Sequence, residues 1–217
     1  MTAAELLALI CAALALQLAA GIGWVSWRRR VSPAVVTAAP PAAAPARSDA
    51  AWPGWRDFRV VRREFEDAAQ SQCSFYLEPV DGQPLPPFRP GQFLTFALDL
   101  DAPGPGQAAR TVTHCYSLSD RPEASHYRVT IKRVPAPAEH PDYAPGLSSG
   151  HFHDHVRVGD VLRVKAPSGH FHIDTDAAVP VVLVGGGIGI TPMMSMLRWC
   201  VAQQPQRPVH LYYGVRD

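Results

Sequence analysis

Hydrophobic and polar positions divide the chain into stretches with different patterns. Residues 6–27, LLALICAALALQLAAGIGWVSW, run for 22 positions without a charge. As a helix such a run is roughly 33 Å long, enough to cross the hydrocarbon core of a bilayer. Glu5 is the one charge ahead of it, Arg28, Arg29 and Arg30 follow directly, and Trp24 and Trp27 sit at the matching interface. That asymmetry predicts a single membrane span with the rest of the chain on the cytoplasmic side. A cleaved secretory signal is the competing reading, with LAAG as its processing site, but no basic segment precedes the apolar run.

Residues 33–50, PAVVTAAPPAAAPARSDA, hold eight alanines and four prolines. This is too little bulky apolar surface for a core and too much proline for a helix, so the stretch reads as a tether. Partly extended, it reaches up to roughly 50 Å.

From Trp52 the period becomes that of strands. Short apolar or alternating runs recur as DFRVVRREF, CSFYLEPV, QFLTFALDL, HCYSLS, YRVTIKRV and DVLRVKAP, separated by turn clusters such as Asp81-Gly82, Pro90-Gly91, DAPGPGQ and Pro167-Ser168-Gly169. Six short strands without a long helix predict an antiparallel barrel. The pattern then changes: 179–184 is an apolar run, a glycine loop follows, PMMSMLRWCVAQQ has helical spacing with Pro192 in its first turn, and VHLYYGV is a second apolar run. Strand, loop, helix, strand is the opening unit of a parallel, doubly wound sheet. The chain thus divides into a transmembrane anchor with its basic flank (1–30), an Ala/Pro-rich linker (31–51), an antiparallel β-barrel (52–176) and the start of an α/β nucleotide-binding domain (177–217).

Composition narrows the functional classes. A formal charge of +1 over 217 residues gives no electrostatic footprint for nucleic acid. Cys11, Cys73, Cys115 and Cys200 show neither zinc-ligand spacing nor a disulfide framework. His151, His153 and His155, with His170 and His172 nearby, are close enough in sequence to suggest metal ligands. The first three share a face on a strand, only His151 and His155 on a helix, and no cysteine or carboxylate pattern supports them, so no metal is expected.

Gly185, Gly186, Gly187 and Gly189 lie between the apolar run and the helix. Glycines there let backbone approach a ligand closely, and the free N–H groups at the helix start favour a pyrophosphate. Ile190 stands where G-x-G-x-x-G has its third glycine, so the loop by itself is equally a plain tight turn.

Several blocks in order carry a resemblance: PGQF (90–93), CYSLSD (115–120), YRVTIKRV, GLSSGHFHDHVRVGDVLRVKAPSGHF and GGGIGITPMMSML. Together they resemble the ferredoxin-NADP reductase superfamily, in its flavohaemoglobin and oxygenase-reductase branch, over about Phe58 to Asp217. The resemblance implies a barrel that holds FAD and an α/β domain that holds NADH or NADPH. It implies a flavin-dependent oxidoreductase that passes hydride from the nicotinamide to FAD and single electrons to an iron–sulfur or haem acceptor, such as a 2Fe-2S ferredoxin-like protein or domain.

Site residues follow from the same resemblance. Tyr116 matches the tyrosine that contacts the flavin, and Ser117 the hydroxyl residue near flavin N5, which makes Ser117 the catalytic candidate, an ordinary inward Tyr and outward Ser on a strand being the alternative. Phe93 falls where an aromatic lies beside the adenine or ribose, a core phenylalanine being the alternative. Gly146 and Ser149 occupy the G-x-x-S positions that face the FAD pyrophosphate. Lys132 falls where a basic side chain lines the flavin, or on a solvated barrel face. Gly186, Gly187 and Gly189 match the phosphate-facing glycines, and Thr191 the hydroxyl at the nicotinamide end. Arg216 and Asp217 stand where a base selects a 2′-phosphate and an acid a ribose hydroxyl, so both nicotinamide cofactors remain open.

One position departs from the family's Arg-x-Tyr-Ser: here it is His114-Cys115-Tyr116-Ser117. Histidine, mostly neutral near pH 7, cannot form arginine's two-pronged phosphate contact, so a weaker, pH-sensitive grip is expected. Arg110, in the preceding loop, is a candidate to compensate. Only about 38 residues follow Val179, whereas a complete cofactor domain needs on the order of 100. The chain is therefore expected to be truncated and to bind FAD with poor turnover, and a non-catalytic flavin- or partner-binding module is the alternative to a reductase.

Overall fold

The computed structural model describes residues 51–100 and 110–215. The expected membrane span, the expected linker through residue 50, residues 101–109 with the expected turn cluster DAPGPGQ, and Arg216 and Asp217 lie outside the described residues. Among those described, no helix is long and apolar enough to cross a membrane.

Six strands form one antiparallel sheet: β1 (Arg56–Phe65), β2 (Gln72–Pro79), β3 (Phe93–Leu100), β4 (Arg110–Ser117), β5 (Tyr127–Lys132) and β6 (Val161–Ser168). Their order is β4-β3-β6-β1-β2-β5. Beyond Ser117 the chain closes this order into a barrel, because Leu118 bridges Val129 and the Ser119 N–H donates to Arg128 O at 2.9 Å. Period-two alternation turns Phe58, Val60, Leu94, Phe96, Leu98, Val129, Ile131, Leu162 and Val164 inward, where all are buried. That is why the alternating runs in the sequence form strands: the sheet must bury one face of each.

Both barrel ends are plugged by aromatic rings. Between β5 and β6 lies α1 (Leu147–Asp154), whose Phe152 is fully buried with ring centroids 5.2 Å from Phe75 and 5.3 Å from Phe96. Arginines hold the C-terminal carbonyls of α1, with Arg63 Nη2 donating to His153 O at 2.7 Å and Arg157 Nη2 to Asp154 O at 2.5 Å. At the other end Trp52, Phe58 and Phe88 surround Tyr127, whose hydroxyl donates to Pro86 O at 2.7 Å.

The α/β region follows. It comprises β7 (Val181–Gly186), a 3₁₀ turn (Gly187–Gly189), α2 (Ile190–Gln203) and β8 (Val209–Gly214). As the sequence pattern predicts, β7 and β8 pair in parallel, Leu183 opposite Leu211. Leu183, Met193, Met196 and Cys200 are buried between strand and helix together with Ile173. Val182, Val184 and Tyr212 are exposed, because among the described residues α2 covers one face of this pair alone.

One boundary differs from expectation. The strand expected to begin at His114 begins at Arg110, so Arg110 is a strand residue opposite Leu100 rather than part of a loop. Strand rise puts it roughly 13 Å from His114 on the same face. The histidine stretch is helical, which separates His153 from the other two.

Candidate functional site

The end of β4 gathers the first set of candidates. Opposite neighbours in β3 are Phe96 for His114, Leu94 for Tyr116 and Phe93 for Ser117. His114 and Tyr116 therefore share the side of β4 that Leu94 and Phe96 occupy in β3, their ring centroids 4.8 Å apart with His114 exposed and Tyr116 half-buried, while Ser117 and Phe93 share the other side. The Tyr116 ring meets Phe152 edge-on at 5.2 Å and Phe96 at 5.9 Å. Its hydroxyl is buried and has no hydrogen-bond partner among the described residues. Burial also pushes the phenol well above its ordinary pKa, so it remains an O–H donor. Phe93 lies outside the buried core, its ring against Gly169, where φ is +112° and an added Cβ would fall 2.8 Å from Cε1. Lys132 ends β5 opposite Gln72 and is exposed.

The start of α1 forms the second element. Gly146 is its N-cap, and the first helical bond runs from the Gly150 N–H to Gly146 O at 2.8 Å. The N–H groups of Leu147, Ser148 and Ser149 precede that bond and point outward from the helix start. Ser149 is buried, and its hydroxyl donates to Gly146 O at 3.1 Å while accepting from the Val134 N–H at 3.2 Å. The hydroxyl thus closes the loop, so backbone N–H groups are what the loop presents to an anion. An added Cβ on Gly146 would meet Ser149 Oγ at 2.7 Å and Val134 Cβ at 2.8 Å, which explains the glycine.

The histidines do not converge. His153 is buried with Nε2 2.9 Å from Ile131 O, His151 and His155 stack with centroids 5.4 Å apart, and His172 Nδ1 lies 3.2 Å from Ile173 O. Among the described residues no group of three metal-ligating side chains occurs.

At the glycine loop the chain leaves β7 through extended Gly186 and turns at Gly187, where φ is +50°. Added Cβ atoms at Gly187 and Gly189 would meet nothing within 4 Å, so the loop is open on its outer side. Thr191 is buried and its hydroxyl donates to Ile188 O at 3.0 Å, holding the turn; Tyr213 Oη donates to Gly187 O at 3.1 Å from β8. Pro192 sits in the first turn of α2, where its missing N–H costs nothing.

Sequence reasoning missed the residues that join the two elements. Asp120, the last residue of CYSLSD, accepts at its backbone oxygen from Ser195 Oγ at 2.7 Å and pairs through Oδ2 with Arg198 at 2.6 Å. Beside it Glu66, Ser74, Ser119, Arg128 and Thr130 form a polar network, with Arg128 Nη2 2.5 Å from Glu66 Oε1. Burial raises the Glu66 carboxyl, but the Ser74 hydrogen bond and the Arg128 charge outweigh it and hold the group below the usual range. The signal in the sequence was polar residues alternating on an otherwise apolar strand, as at Arg128 and Thr130.

The chain is similar to known proteins over most of its described residues. The oxidoreductase NAD-binding domain family matches residues 183–217. The chain is 40% identical over 166 residues to a flavohemoprotein of Rhizobium meliloti, covering 76% of this chain and 38% of that protein. The crystal structure of the flavohem-like FAD/NAD binding domain of nitric oxide dioxygenase from Vibrio cholerae O1 biovar El Tor is 30% identical with a TM-score of 0.63, covering 76% of this chain and 64% of that one. Phthalate dioxygenase reductase, described as a modular structure for electron transfer from pyridine nucleotides to a 2Fe-2S centre, is 34% identical with a TM-score of 0.56, covering 76% and 44%. The chain thus spans less than two thirds of each of these relatives.

Proposed function

As a member of the ferredoxin-reductase-like FAD/NAD-binding superfamily, with flavohemoprotein-like homologues, the chain is, we propose, the reductase module of an NAD(P)H-dependent flavoprotein. The observation that carries this reading is the Tyr116 hydroxyl, buried beside His114 and Phe152 of α1 with no hydrogen-bond partner among the described residues. A buried hydroxyl without a partner costs about 1–3 kcal/mol, and a flavin against this face restores the missing bond.

The residues present fit both groups. Tyr116 would donate its hydroxyl to a bound flavin, Ser117 and Phe93 line the outer edge of the same strands, Lys132 would add positive charge, and the N–H groups after Gly146 would hold the pyrophosphate. His114 supports that end as a weaker donor than arginine. Gly186, Gly187 and Gly189 admit a dinucleotide phosphate to the start of α2, with Thr191 fixing the turn, and Arg216 and Asp217 in the sequence keep both nicotinamide cofactors open. When bound, the nicotinamide and flavin supply hydride transfer and single-electron release to a haem or iron–sulfur acceptor. The chain's own part is to orient the rings, hold the phosphates and keep the Tyr116 proton in place. Heat release of flavin from purified protein, identified by chromatography, tests the reading: it predicts FAD near one equivalent, and absence of flavin binding contradicts it.

The uncharged run at 6–27 with Arg28 to Arg30 behind it supports a single-pass anchor with this module on the cytoplasmic side, where NAD(P)H is available. Carbonate extraction of membranes tests it; release into the supernatant contradicts it. Histidine at position 114 favours a second reading, a flavin- or partner-binding module without hydride transfer.

A further inference from the structure

The flavin-facing edge and the glycine loop belong to different layers, and a handful of side chains join them. From Ser117 the chain runs through Leu118 and Ser119 to Asp120, roughly 10 Å along extended backbone. There buried Ser195 donates to Asp120 O at 2.7 Å, and Arg198 Nη1 lies 2.6 Å from Asp120 Oδ2. Ser195 is only roughly 8 Å along α2 from its first residue, Ile190, where the glycine loop ends. The other Asp120 oxygen accepts from the Arg121 N–H at 2.8 Å, and Arg121 Nε meets Glu123 at 2.6 Å, so the carboxylate is held from both sides. Behind it, Ser119 is buried and bonded to Arg128, which pairs with Glu66.

A second tie runs in parallel. Gly91, at φ +110°, packs so closely on Met196 of α2, Phe171 O and His172 that an added Cβ would collide with all three. Gly91 precedes β3, whose first residue, Phe93, pairs with Ser117. Both strands of the flavin-facing edge are therefore anchored to one helix, the helix whose start is the glycine loop.

We propose that Asp120, acting through Ser195 and Arg198, is a positioning residue that sets the glycine loop against the β4 edge carrying Tyr116 and Ser117, and with it the placement of the nicotinamide ring on the flavin. This rests on the two-cofactor reading above. It requires no contact between Asp120 and either cofactor, which separates it from residues that bind them.

The test is the flavin absorbance difference spectrum produced by oxidised NAD⁺ on the FAD-loaded chain, which reads ring placement without turnover. Arg198→Glu sets two like charges together and is expected to lower the saturating amplitude by about threefold to tenfold. FAD affinity is expected to stay within about twofold, because Arg198 lies outside the flavin-facing edge. Arg198→Lys keeps most of the amplitude, and the swapped pair Asp120→Lys/Arg198→Glu regains it. Amide exchange gives a cofactor-free readout: Arg198→Glu and Ser195→Ala speed exchange at residues 118–121 and 190–198 but leave β2 protected. Unchanged amplitude in Arg198→Glu and Ser195→Ala, with a clear wild-type spectrum, overturns the inference and leaves the two-cofactor reading standing. A wild-type chain that holds FAD and gives no difference spectrum overturns both. Where Arg198→Glu does not fold, Ser195→Ala decides by the same criterion.

Discussion

The imidazole of His114 lies 4.8 Å from the Tyr116 ring on one face of β4, beside a buried hydroxyl that no described protein group meets. A guanidinium at position 114 brings two parallel donors to the phosphate this face is proposed to hold. His114→Arg is expected to tighten FAD binding by roughly tenfold at low salt, less at high salt. Flavin fluorescence quenching at two ionic strengths measures it. Equal affinity in both proteins contradicts the assignment of His114 to the phosphate.

Tyr116→Phe separates a ligand-facing hydroxyl from a merely buried one. Removing the partnerless O–H is expected to stabilise the FAD-free protein by about 1 kcal/mol, because a desolvated polar atom disappears. The same change is expected to weaken FAD binding by about fivefold to tenfold, because the bound form loses a hydrogen bond. Urea unfolding with and without FAD gives the two signs, and loss of stability in the FAD-free protein contradicts the account.

Gly91 and Gly159 both hold positive φ, +110° and +101°, but only Gly91 faces neighbours. Alanine at either position carries about 1–2 kcal/mol of left-handed backbone strain. Gly91→Ala adds about 1–3 kcal/mol of overpacking against Met196 and the backbone at Phe171. Denaturation of the two variants side by side checks the difference, and equal losses contradict the close approach of α2 to the barrel.

The Glu66 carboxyl is held below its ordinary value of 4.5 in the folded chain. A depressed folded pKa contributes stability that is fully present above the unfolded value and is lost as pH falls through the folded one. Stability is therefore expected to fall as pH drops below the ordinary carboxylate value of 4.5, and Glu66→Gln to flatten that slope. Urea midpoints across the range test it; an unchanged slope shows that Arg128 and Ser74 do not stabilise the ionised form.

The barrel strands were legible because each buries one face, and alternation records that directly. In β2, however, Cys73 to Leu77 are buried on both faces, because Ser74 and Tyr76 face the polar network around Arg128 instead of solvent. α1 was not legible as a helix: of its apolar residues Phe152 alone is buried, so no helical stripe exists to be seen. The G-x-x-S positions were visible in sequence, but not that the Ser149 hydroxyl is taken by Val134, fifteen positions away. The Asp120–Arg198 pair spans 78 positions and involves residue types common on any surface. Partners that only the fold brings together leave no local pattern.

The most direct test of the account is an anaerobic absorbance spectrum of the protein, expressed from its own gene and purified in detergent, before and after NADH and then NADPH. The account predicts a bound-flavin spectrum that bleaches with at least one of the two. Flavin that is bound and stays oxidised with both contradicts the reductase reading and leaves a binding module in its place.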